Sequence, residues 1–146
     1  MSVTQNLTNV ISNVLENMFF TFVRPVSCAE CAQSLVGVFF HKVQVSLADR
    51  DHRLDVAIFF ASDLAEQMTA SFLGEERGQV SLSQISDVLK EAVNMIGGGL
   101  INICDPEGIM VLGIPETFGV GEATISDGMV CYDTDGSYLL VGWTET

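Results

Sequence analysis

The sequence predicts an α/β protein in which two long helices pack on a mostly antiparallel sheet of about six strands, built as two pseudo-repeated halves. Three observations lead there. Two amphipathic stretches, one at the start and one in the second half of the chain, place apolar residues at helical spacing. Each is followed by short β-branched and aromatic runs separated by turn residues. At 146 residues and 48% hydrophobic content, the chain is long enough to bury one core. A single domain over residues 1–146 is therefore expected, with halves at about 1–74 and 80–146.

The first helix is expected from Val3 to about Val23. Leu7, Val10, Ile11, Val14, Leu15, Met18 and Phe22 form its apolar stripe, and Arg24-Pro25 ends it. Glu16 lies opposite, beside Ser12, Phe19 and Phe20, two aromatics that either pack under another element or meet a partner. Ser34 to Gln44 and Leu54 to Phe60 read as a hairpin turning at Asp49 to His52. Ser62-Asp63 starts a short helix over Leu64 to Leu73 that Gly74 stops. Ser83 is the expected cap of the second long helix, which runs to Cys104. Ile109 to Ile114 reads as a strand before Pro115, and Gly119 to Gly121 as a loop. Ala123 to Tyr132 and Tyr138 to Thr144 form a hairpin around Asp133 to Gly136.

Charge restricts function. With 19 acidic and 6 basic residues the net charge is −13, which disfavours nucleic acid and anionic membranes as partners. No apolar run approaches the roughly 18 residues that suggest a membrane span, and no charged leader precedes an apolar one, so no membrane insertion and a cytoplasmic location are expected.

Four cysteines stand at 28, 31, 104 and 131, the first two as C-x-x-C. Incidental cysteines, with 28 and 31 in a loop or starting a strand, are one reading. A redox pair or part of a thiolate metal site is the other. His41 and His52 read as a strand residue and a loop residue rather than a catalytic pair.

The second long helix carries the most pointed signal. Ile85, Val88, Leu89, Ala92, Ile96, Leu100 and Ile103 make its core side, while Asp87, Glu91 and Asn94 stack at i, i+4 and i+7 on the other, with Gly98 continuing the stripe. Gly97, Gly98 and Gly99 cost about 1 kcal/mol each against alanine inside a helix, which requires a close neighbour or partner there. Aligned on their glutamates, Ser12, Glu16 and Phe19 of the first half match Asp87, Glu91 and Asn94 of the second.

Asp87-x3-Glu91-x2-Asn94 on a long helix, followed by a strand ending in Pro115, resembles the signature of the CheC and CheX family of chemotaxis phosphatases. The likeness extends to the first-half helix with its glutamate and to the helix end from Ala65 to Glu75. The Asn94 to Pro115 spacing is slightly shorter than the family pattern, and the C-x-x-C and triple glycine are extra. Since only the second half keeps an amide, the chain is most similar to single-site, CheX-like members. The resemblance implies hydrolysis of the phosphoaspartate of a CheY-like receiver domain. Glu91 and Asn94 would be catalytic, Asp87 and Gly98 partner-binding, and Ser12, Glu16 and Phe19 a degenerate first-half site. It implies no metal or cofactor of the chain's own, Mg²⁺ on the partner receiver, and a homodimer. A non-catalytic receiver-binding or flagellar-switch-like module is the alternative.

Overall fold

The computed structural model describes residues 3–105 and 107–146. In chain order its elements are α1 (Val3–Phe19), β1 (Arg24–Val26), α2 (Cys28–Cys31), β2 (Phe39–Ala48), β3 (Arg53–Ala61), α3 (Ser62–Leu73), α4 (Leu82–Cys104), β4 (Val111–Leu112), β5 (Glu116–Glu122), β6 (Val130–Asp133) and β7 (Tyr138–Glu145). Short 3-10 turns occupy Gln33–Leu35 and Arg77–Gln79. The strands form one 7-stranded sheet ordered β1-β6-β7-β3-β2-β4, with β5 also pairing β2. All these pairings are antiparallel. The α/β expectation of two long helices on an antiparallel sheet holds, as does the short helix stopped by Gly74 (α3), with a seventh strand and the four-residue helix α2 added.

The core follows from two periodicities. Along β2, Phe40, Val43, Val45 and Leu47 are buried, and along β3, Val56, Ile58 and Phe60, which is largely the alternation of a strand with one covered face. In α1, Leu7, Val10, Ile11 and Leu15 are buried; in α4, Ile85, Val88, Leu89, Ala92, Ile96 and Leu100 are. These side chains join those of α3, β6 and β7 in one apolar cluster. The helices α1, α3 and α4 contact one another, and α4 lies against β2.

Several element ends differ from the sequence expectation. Helix α1 stops at Phe19 rather than near Val23, because Phe20 takes a left-handed backbone (φ 53°). Thr21 then closes the last turn, its N–H donating to the Leu15 carbonyl at 2.9 Å and its hydroxyl to that of Phe19 at 3.0 Å. Arg24-Pro25 belongs to β1, which pairs with β6. The stretch from Ser34 is not strand: a 3-10 turn and Gly37 at φ 76° delay β2 to Phe39. The cap of α4 is Ser81 rather than Ser83. Its hydroxyl accepts from Gln84 N–H at 3.1 Å while the Gln84 side chain accepts from Ser81 N–H at 2.8 Å, a reciprocal capping box. Ile103, assigned to the core side, is 46% exposed, because the last turn of α4 runs past the edge of the core.

The edge of the sheet also reads differently. Only Val111–Leu112 of the expected strand pairs, against Leu47 and Ala48, and the expected loop at Gly119 to Gly121 lies inside β5. Thus β4 and β5 run along the same strand, β2, with Gly113-Ile114-Pro115 between them. Proline has no N–H for a ladder, so the interruption falls there. The strand expected from Ala123 contracts to β6, and β6 and β7 are joined by a hairpin whose Asp135 and Gly136 both have positive φ (59° and 94°), as a type I′ turn requires.

Candidate functional site

The polar stripe of α4 is presented to the outside. Asp87, Glu91 and Asn94 are all exposed, while Val88, Ala92 and Val93 between them are buried, so their helix is anchored along its opposite side. The capping box holds its start, and Asp105 N–H donates to the Ile101 carbonyl at 2.8 Å at its end. Side chains on such an element are held in place by the backbone rather than by a mobile loop.

The three residues line one open cleft of about 460 Å³ with Lys90, Leu112, Gly113, Ile114 and Pro115. Pro115 therefore reaches the Asn94 face despite the shortened spacing. Two contacts put it there. Gly113 N–H donates to the Ser46 carbonyl at 2.7 Å, tying the interruption between β4 and β5 to β2. Gly97 lets Leu112 settle on α4, since a Cβ at position 97 would lie 2.6 Å from the Leu112 Cδ1.

Lys90 is the member that sequence reasoning missed. Its ammonium stands 3.8 Å from the Asp87 carboxylate, with both side chains substantially solvated, so the pair contributes little to stability. Its signal was available: it sits at i+3 from Asp87 and next to Glu91. Among the described residues, the side chains of Glu91 and Asn94 make no hydrogen bond or ion pair within the chain. A carboxylate and an amide one turn apart are thus free to engage a group from outside.

The remaining sequence-assigned positions separate. Gly99 packs on α1, where a Cβ would come 2.7 Å from Val10 Cγ1, whereas a Cβ on Gly98 would meet no atom within 4 Å. Two of the three glycines are accounted for by internal packing, and Gly98 is not. On α1, Glu16 is exposed and Ser12 half-buried, but Phe19 is 1% exposed and stacks on Phe72 of α3 with ring centroids 5.2 Å apart. The first-half counterpart of Asn94 is inside the core. Phe20, its neighbour, is 74% exposed.

The C-x-x-C forms the short helix α2 rather than a loop or the start of a strand, with Ser27 as its cap. Among the described residues, no group of three or more His, Cys, Asp or Glu side chains is arranged to hold a metal ion. Among the same residues, no helix is long and apolar enough to cross a membrane.

A long helix lying on an antiparallel sheet is an architecture shared with solved CheX and CheC-like structures. A family model described as chemotaxis phosphatase CheX matches residues 43–132, more than half of the sequence and all of α4, and the chain belongs to that family. Solved structures agree on the fold. The chain is similar to the chemotaxis protein CheX of Vibrio vulnificus, with 17% identity, a TM-score of 0.81, and coverage of 100% of this chain and 97% of that one. It resembles a CheC-like superfamily protein from Shewanella sp. PV-4 at 17% identity and a TM-score of 0.78, over 100% and 99% of the two chains. It also resembles the structure described as a CheX-CheY-BeF3-Mg²⁺ complex from Borrelia burgdorferi, at 16% identity and a TM-score of 0.70, over 99% and 97%. No curated protein matches the sequence.

Proposed function

We propose that this protein hydrolyses the phosphoaspartate of a CheY-like receiver domain, with Asn94 positioning the attacking water and Glu91 fixing the docking register. The observation that supports this most is the unpartnered Glu91 and Asn94 pair at the mouth of an open cleft on a rigid helix. A relative described as a CheX-CheY complex makes a receiver the partner to expect.

The chemistry asks little of the visiting protein. An acyl phosphate is already reactive, and Mg²⁺ on the receiver supplies charge stabilisation at the phosphoryl group. What is needed is a water held in line. The Asn94 carbonyl accepts a hydrogen bond from that water, while its NH₂ donates toward the phosphoryl oxygens. The water oxygen then bonds to phosphorus, the bond from phosphorus to the aspartyl oxygen breaks, and carboxylate and inorganic phosphate leave. An amide suits this position because a carboxylate would repel the anion.

Glu91, one turn earlier, is placed to pair with a lysine of the receiver. Asp87, with Lys90, extends the docking surface along the helix. Gly98 leaves the backbone bare at the far end of the stripe, where a loop of the partner can approach.

The test is receiver dephosphorylation at substoichiometric amounts of the protein. Asn94→Ala removes one preorganised contact and is expected to lower turnover by about 10²–10³ while leaving receiver binding intact. An Asn94→Ala protein as fast as wild type refutes the mechanism. Binding of the phosphorylated receiver by the wild type with no acceleration of phosphate loss would make the chain a docking module instead.

A further inference from the structure

The C-x-x-C motif takes no part in the function proposed above, yet the fold gives Cys28 a specific neighbour far away in sequence. Val26, the last residue of β1, pairs directly with Cys131 of β6. The chain then turns into α2 at the Ser27 cap, and this turn brings Cys28 back over β6. The Cys28 Sγ lies 2.8 Å from the Cys131 Sγ and 3.4 Å from the Met129 carbonyl. Cys31 is held differently: its thiol donates to the Cys28 carbonyl at 3.6 Å, as expected for a helical i+3 position, while also facing the Cys131 thiol. Cys104 is exposed at the end of α4, where its sulfur accepts from the Asn6 amide at 3.8 Å.

The geometry points to a site of reversible thiol oxidation in which Cys28 and Cys131, rather than the two cysteines of the C-x-x-C, join as a disulfide when the protein meets hydrogen peroxide. A closure of less than about 1 Å separates the two sulfurs from a disulfide bond length. Their roles differ by environment. Cys131 is fully buried, and burial together with hydrogen bonds from Cys28 and Cys31 pushes its thiol far above the usual range. Cys28 is half-buried at the first position of α2 and is the thiol that an oxidant can reach.

The reaction balances in two steps. The Cys28 thiolate attacks a peroxide oxygen, and the O–O bond breaks. The departing hydroxide takes a proton and leaves as water, with Cys28 oxidised to a sulfenic acid. The Cys131 sulfur then attacks the Cys28 sulfur, its proton goes to the departing hydroxyl, a second water forms, and the S–S bond closes. Overall, two thiols are oxidised and one peroxide is reduced to two waters. A thiol such as dithiothreitol restores both cysteines by exchange.

The experiment uses the full, reduced chain treated with hydrogen peroxide. Intact mass is expected to fall by two hydrogen masses, and alkylatable thiols to fall from the four of the sequence to two. Non-reducing peptide mapping should link the peptides holding Cys28 and Cys131, and dithiothreitol should reverse the change. Cys31→Ser and Cys104→Ser should still form the link, and Cys28→Ser should not. The peptide map of the wild type decides the matter even where a variant fails to fold. A Cys31 to Cys131 link, told apart by fragment-ion sequencing of the linked peptides, a Cys28 to Cys31 link, oxidation of Cys28 to the sulfinic acid without a disulfide, or cross-linking between chains through Cys104 alone would each overturn the assignment.

Discussion

Gly98→Ala gives a stability effect and a functional effect of opposite sign, which makes it a sharp probe of the site. In the interior of a helix, alanine is favoured over glycine by about 0.8–1.0 kcal/mol. Whether that gain is realised depends on what the added methyl meets. At position 98 it meets no atom within 4 Å, so the whole gain should appear, raising the unfolding midpoint by about 3 °C for a chain of this size. Gly99 supplies the contrast on the same helix. There the methyl would lie 2.7 Å from Val10, a side chain stiff at χ1, and overpacking of that kind costs about 1–3 kcal/mol. Gly99→Ala should therefore be neutral to destabilising. Thermal and urea unfolding followed by circular dichroism reads both. The same Gly98→Ala protein, assayed on a phosphorylated receiver, should show a raised KM, because the methyl stands where the partner's loop is proposed to approach. A Gly98→Ala protein less stable than wild type would refute the placement of this face toward open space. One that is more stable with an unchanged KM would remove Gly98 from the docking surface.

Two further outcomes are expected. Ser81→Ala removes the hydroxyl half of the α4 capping box and should destabilise the protein by about 1 kcal/mol in urea unfolding, while Ser83→Ala, outside the box, should change stability little. His41, half-buried on β2, has its imidazole pKa lowered from 6.5 by burial, so the unfolded state takes up the proton first as pH falls. Its contribution to stability is fully present above 6.5 and is lost as pH falls through the lowered folded value. His41→Gln should flatten that part of the urea midpoint against pH profile, and an unchanged slope would exclude His41 as its source.

What was legible from sequence is what depends on local spacing. The period of α4 placed Asp87, Glu91 and Asn94 together on the face opposite Val88, Leu89 and Ala92, because neighbours along a helix are set by its pitch alone. The alternation in β2 and β3, and the Asp-Gly bend before β7, were readable for the same reason. The misreadings lie where tertiary contacts override local preference. Ser34 to Val38 is rich in strand-forming neighbours, yet Gly37 and a 3-10 turn delay the strand. Ile109 to Ile114 reads as a strand and Gly119 to Gly121 as a loop, whereas the shape of this segment is dictated by β2, to which both β4 and β5 bond around Pro115.

By itself, then, the sequence determined the class of fold, the long helices and the outward carboxylate and amide. Tertiary structure alone decided that Gly113 to Pro115 folds over the Asn94 face, that Phe19 is sealed under α3 while Phe20 is not, and that Gly97 and Gly99 serve packing but Gly98 does not. It also decided that Cys28 finds Cys131 across the sheet. Each of these depends on which distant segment arrives beside a residue, and helix pitch and strand alternation hold no information about that.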